Sequence, residues 1–122
     1  MFSLKKFKNS LLYAIAGLRT VFKEEQSFRV QVLAGLVILI LAIVFRIKKW
    51  ETVILILVVV FVLVLELINS IFERVADLLK PRVHVYVETI KDIMAGAVLL
   101  SSLAALAIGV IIFWPYFIIA DF

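Results

Sequence analysis

The chain has no cysteine, a single histidine, two prolines and four glycines among its 122 residues. Without cysteine there are no disulfides and no thiolate metal sites. With His84 as the only histidine there is no histidine cluster for a metal, and no Ser-His-Asp arrangement stands out. The scattered glycines form no phosphate-cradling loop. Any catalysis therefore falls to carboxylates, lysines and amides. There is also no internal repeat, low-complexity tract or interdomain linker. The start carries Lys5, Lys6 and Lys8 like a signal-peptide n-region, but no small-residue cleavage site follows a short apolar core, so no cleaved signal is expected.

What the chain has in excess is apolar surface: 66% of its residues are hydrophobic and its mean hydropathy is +1.21. A soluble domain of this size would have to expose much of that surface to water. The expected fold is an all-α membrane protein, one domain over residues 1–122, with an amphipathic surface helix and three transmembrane helices. Leu4, Phe7, Leu11, Leu12, Ile15, Leu18 and Phe22 recur at three- and four-residue steps, which predicts a surface helix over 4–24. Lys5, Lys8, Arg19 and Lys23 are available on it to anionic headgroups.

Three apolar runs predict spans over about 28–47, 51–79 and 84–114. Residues 46–51 read as a short polar turn, and Pro81 as the end of the second helix, since it lacks a backbone donor and disfavours helix before it. Trp114, Pro115 and Tyr116 read as an interfacial anchor and stop for the third span. Six basic residues lie in 1–29 and four in 74–91, against three in 46–49 and none after 113. The positive-inside rule then puts the N-terminus and second loop in the cytoplasm. Ala97, Ser101, Ala105 and Gly109 form a small-residue ridge that lets helix backbones approach, within or between chains.

Polar residues interrupt the second span. Glu66, Asn69, Ser70, Glu73 and Asp77 fall within about a third of a helix circumference and make one stripe. Ionisable groups at membrane depth are costly and mark a site, a relay or a buried partner. Glu66 and Glu73 are two turns apart, roughly 10 Å, too far to act on one atom. The deeper suits a general base for a lipid hydroxyl, and the shallower a ligand of a divalent ion on a nucleotide. Plainer readings stand beside these. Glu73 and Asp77 suit a solvated helix extension, and Glu66 and Asn69 an interhelical hydrogen bond. Lys91 and Asp92 suit ordinary helix-start charges, Glu24 and Glu25 the acidic end of the surface helix, and His84 a loop.

Taken together, these residues resemble a known family. Glu66-Leu67-Ile68-Asn69-Ser70-Ile71-Phe72-Glu73-Arg74-Val75-Ala76-Asp77 resembles the E-x-x-N-[ST]-x-x-E-x-x-x-D signature of the prokaryotic diacylglycerol kinases, which include undecaprenol kinases. Lys91-Asp92-Ile93-Met94-Ala95-Gly96-Ala97-Val98 is similar to the family's second motif. Gly17-Leu18-Arg19 with Glu25-Gln26-Ser27-Phe28-Arg29 is similar to its N-terminal block. The resemblance covers nearly the whole chain.

It implies a homotrimeric lipid kinase of the bacterial cytoplasmic (inner) membrane that moves the γ-phosphoryl group of ATP to diacylglycerol or undecaprenol, with no nucleic-acid partner. By position, Glu66 is the implied catalytic base, and Glu25 and Glu73 hold Mg2+ on the nucleotide. Lys91 neutralises phosphate with Asp92 beside it, while Tyr13 and His84 contact ATP. Lys6, Arg19, Asn69 and Ser70 join Glu66 on the lipid side. Lys6 stands where some relatives have Arg, and Arg82-Val83 interrupts a stretch that is more acidic and aromatic in others. A rival reading is a non-catalytic subunit or small transporter that uses Glu66 for assembly or as a proton relay. A transporter needs a polar path through the whole bilayer, which the outer halves of the spans lack.

Overall fold

The computed structural model describes residue 1, residues 3–79 and residues 84–120, with side chains other than those of His84 and Ala120. The described residues form four helices: α1 (Leu4–Glu24), α2 (Gln26–Val44), α3 (Lys49–Leu79) and α4 (His84–Ala120). Gln26–Val44, Lys49–Leu79 and Val85–Ile119 are long and apolar enough to cross a membrane. The all-α architecture with one N-terminal helix and three candidate spans is as expected.

Ser3 caps α1, its hydroxyl accepting from the Lys6 N–H at 3.4 Å. Only Val21 of α1 is buried, while Leu4, Phe7, Leu11, Leu12, Ile15, Leu18 and Phe22 stay exposed, as suits a helix whose apolar face meets lipid. One residue separates α1 from α2. Glu25 is extended, with φ −111° and ψ 108°, and its N–H still bonds Val21 O at 2.8 Å. Arg29, one turn into α2, donates back to Phe22 O at 2.9 Å and Lys23 O at 2.8 Å. It thereby satisfies two carbonyls that the end of α1 would otherwise leave open.

At the far end of α2 the chain reverses in a Schellman turn. Ile47 N–H bonds Ala42 O at 3.3 Å, and Arg46 N–H bonds Ile43 O at 3.2 Å. Arg46 carries a φ of 52°, a left-handed position usually taken by glycine. Ala42 and Ile47 then pack with Leu55, Ile112 and Phe113 in the core cluster at this end. Phe45 meets Phe113 and Phe117 edge-on, with ring centroids 6.2 and 4.9 Å away. Glu51, buried in the first turn of α3, accepts from the Lys48 N–H at 3.1 Å and from the Tyr116 hydroxyl.

These contacts correct three expected boundaries. The second helix ends at Val44, not 47, because the turn begins there. The third starts at Lys49, so Glu51 belongs to a helix and not to a polar turn. The last does not stop at 114 but passes through Pro115 to Ala120. Pro115 withdraws the N–H that would bond Ile111 O, yet Tyr116 on Glu51 and Phe117 on Phe45 hold the next turn in place. The proposed stop at Pro81 and residues 121–122 lie outside the described residues.

Ser101 and Ala105 of the ridge face Leu57, Val58, Phe61 and Val62 of α3, and Gly109 is buried, so this edge of α4 looks into its own chain. A groove of about 550 Å³ runs between α2, α3 and α4. It is apolar except for Gln31 and Ser102, hydrogen-bonded at 3.3 Å.

At Gly35 α2 packs tightly against α3. A Cβ there would lie 2.6 Å from Cγ1 of Val59, whose β-branched side chain has little room to turn. Gly35→Ala is expected to cost about 1–3 kcal/mol in unfolding from micelles. Adding Val59→Ala to Gly35→Ala should restore most of the loss. A stable single variant, or a double variant no better than the single, would refute the contact.

Candidate active site

Helix lengths put the polar stripe at one edge of the membrane. At 19 residues α2 spans about 28 Å, close to a hydrocarbon core of roughly 30 Å, whereas the 31 residues of α3 span about 46 Å. The two run antiparallel, with Ser27 against Glu66 and Gly35 against Val59. The start of α2 therefore marks the boundary at Glu66, and Asn69 to Asp77 project beyond it.

The elbow at Glu25 meets the stripe in a register of four. Ser27 Oγ donates to Glu66 Oε1 at 2.9 Å, and one turn on Ser70 Oγ donates to Glu25 Oε1 at 3.1 Å. One turn further, the Arg74 guanidinium pairs with Glu24 Oε1 at 3.1 Å, and its Nε reaches Ser70 Oγ at 3.4 Å. On the adjoining row Asn69 Nδ2 donates to Glu73 Oε1 at 3.2 Å. Lys91 of α4 faces Asp77 at 3.9 Å, a charge contact and not a hydrogen bond. Glu66 and Ser70 are 5% and 3% exposed, and among the described residues no buried side-chain polar atom lacks a partner.

Of the residues singled out from sequence, this arrangement brings together Glu25, Glu66, Asn69, Ser70, Glu73, Asp77 and Lys91. Lys6, Tyr13 and Arg19 stand exposed along α1, apart from the stripe's hydrogen bonds, and Asp92 is exposed beside Lys91. His84 begins α4, but its side chain lies outside the described set. The plainer readings also find support, since Glu73 does take an i,i+4 partner and Glu66 an interhelical one.

Glu25 and Glu73 are tied to adjacent residues, Ser70 and Asn69, so both carboxylates serve the same stretch of α3. No group of three His, Asp or Glu side chains gathers among the described residues as a metal cage. Carboxylate oxygens such as those of Glu25 and Glu73 are hard donors of the kind magnesium takes when it arrives with phosphates.

Sequence reasoning passed over Ser27 and the Arg74–Glu24 pair. The usable signal for Ser27 was its place four residues before Gln31, which gives α2 a short polar edge at the start of an apolar span. For Arg74 it was the four-residue step from Ser70.

The family model described as prokaryotic diacylglycerol kinase matches residues 12–113. A diacylglycerol kinase of Synechocystis is 33% identical over 101 residues, covering 82% of this chain, which spans 58% of that relative's length. The undecaprenol kinase of Bacillus subtilis is 29% identical over 112 residues, 92% of this chain and 91% of the relative. The diacylglycerol kinase of Escherichia coli K12 is 30% identical over 105 residues, 86% of each. A stripe of carboxylates and amides at one edge of three candidate spans, and a family match over most of the length, lead to one conclusion: the chain belongs to the prokaryotic diacylglycerol kinase family, a family of membrane lipid kinases.

Proposed function

We propose that this chain transfers the γ-phosphoryl group of ATP to the hydroxyl of a membrane lipid alcohol, diacylglycerol or undecaprenol. The observation that carries this reading is the buried carboxylate of Glu66 at the membrane boundary, in line with the acids and amides of α3 that continue beyond it. A lipid hydroxyl sits at that boundary, where Glu66 takes its proton. The alcohol oxygen then bonds the γ-phosphorus, the bond from that phosphorus to the bridging oxygen breaks, and ADP leaves with the electron pair.

Lys91 is free to turn from its loose contact with Asp77 to phosphate oxygens. Glu25 and Glu73 would hold a magnesium ion, which supplies charge neutralisation on the phosphates. Asn69 and Ser70 fix those carboxylates. Tyr13, His84 and Asp92 serve the nucleotide, and Lys6 and Arg19, on the surface helix, the lipid headgroup. The concentration of basic residues in 1–29 and 74–91 of the sequence supports a cytoplasmic site, in a bacterial inner membrane. Three helices are too few to wrap a nucleotide and a lipid head together, and a homotrimer completes the site.

Glu66→Gln is expected to abolish lipid phosphate formation in mixed micelles while leaving oligomer size and ATP binding intact. Near-normal turnover would refute the base. Glu25→Ala and Glu73→Ala should each raise the Mg2+ requirement, with activity partly regained at high Mg2+. Unchanged metal dependence in both would make them surface charges. If protomers share sites, mixing Glu66→Gln with Lys91→Ala subunits should restore some activity. Mixed oligomers without rescue would place the whole site in one chain.

A further inference from the structure

Ser27 lies outside every role given to the stripe, yet it holds the residue on which the reaction turns. Its hydroxyl donates to Glu66 Oε1 at 2.9 Å. Glu66 is 5% exposed, so this bond is made away from bulk water, where a hydroxyl that donates to a carboxylate is a strong positional restraint. Ser27 is itself fixed. It is the second residue of α2, two residues after the extended Glu25, and Glu25 is anchored on Ser70 one turn along α3. Arg29, two residues on, ties the same turn to the last carbonyls of α1. Elbow, serine and carboxylate thus form one rigid unit.

We propose that Ser27 is a positioning residue for Glu66: its hydroxyl occupies Oε1 and sets the rotation of the carboxylate, leaving Oε2 to take the proton of the lipid hydroxyl. This inference rests on the role of Glu66 as base. A neutral donor suits the task, because it fixes direction without the countercharge that would make the carboxylate a poorer base. Serine also meets neither lipid nor nucleotide in this role, so its loss acts on the chemical step and not on binding.

The test compares Ser27→Ala and Ser27→Thr with the parent protein in mixed micelles, measuring kcat and KM for lipid alcohol and for MgATP, with Glu66→Gln alongside. Ser27→Ala is expected to lower kcat about ten-fold or more, the order expected for a hydrogen bond to a charged group, with both KM values within about two-fold of the parent. Ser27→Thr, which keeps the hydroxyl, should recover most of that loss. An unchanged kcat in Ser27→Ala overturns the proposal, as does a raised lipid KM with kcat intact, which would put the hydroxyl on the substrate. Equal losses in the Ala and Thr variants also overturn it, since packing and not the hydroxyl would then be at work. Activity in Glu66→Gln would instead refute the base assignment, whatever Ser27 does.

Discussion

A helix cannot carry its own direction around a corner, and in this fold the corner is one residue long. Glu25 ends α1 and starts α2 with no loop between them, so the last turn of one and the first turn of the other move as a piece. The two hydrogen bonds from Arg29 to the carbonyls of Phe22 and Lys23 close that piece from the outside. Glu24, Glu25 and Ser27 are therefore presented together, and α3 answers them with Arg74, Ser70 and Glu66 at steps of one turn. A longer linker would cost more entropy to order and would leave the register undefined.

The two ends of the bundle divide the work. Away from the stripe, the Schellman turn at Arg46, the phenylalanine cluster and the Glu51–Tyr116 bond lock α2, α3 and α4 into one core. That end tolerates a non-glycine left-handed residue and a proline inside α4, both costly, because tertiary contacts hold the backbone on either side of them. At the stripe, α3 overshoots α2, and its polar residues leave the hydrocarbon layer one by one. The reaction proposed for this chain, between a lipid alcohol and a water-soluble nucleotide, would use such a gradient, with a deep acid for one substrate and shallow acids for the other.

The stripe was legible in the sequence because polar residues at helical spacing inside an apolar run are costly and share one face, and the three spans followed from length and hydropathy. What could not be read was pairing across helices. Nothing local marks Ser27 as the partner of Glu66, since the bond depends on the antiparallel register that Gly35 and Val59 allow. The passage of α4 through Pro115 was hidden for the same reason. Local chemistry says stop, and contacts made by Tyr116 and Phe117 with residues far back in the chain override it. Tyr13, Lys6 and Arg19 carry a family pattern whose purpose the single chain does not bring to the stripe.

The partners of the carboxylates sort by chemistry, and the sorting follows the roles proposed for them. Glu66, Glu25 and Glu73 each accept from a neutral group, Ser27, Ser70 and Asn69 respectively. Glu24 and Asp77, to which no step of the reaction is given, are set against cations, Arg74 and Lys91. A neutral donor orients a carboxylate and leaves its charge available for a proton or a divalent ion, while a cation spends that charge in an ion pair. The exposed pairs contribute little to stability, with half or more of Glu24 and Asp77 open to solvent. Both pairs hold their cations, Arg74 and Lys91, along the exposed side of the stripe, beside carboxylates that neutral donors orient.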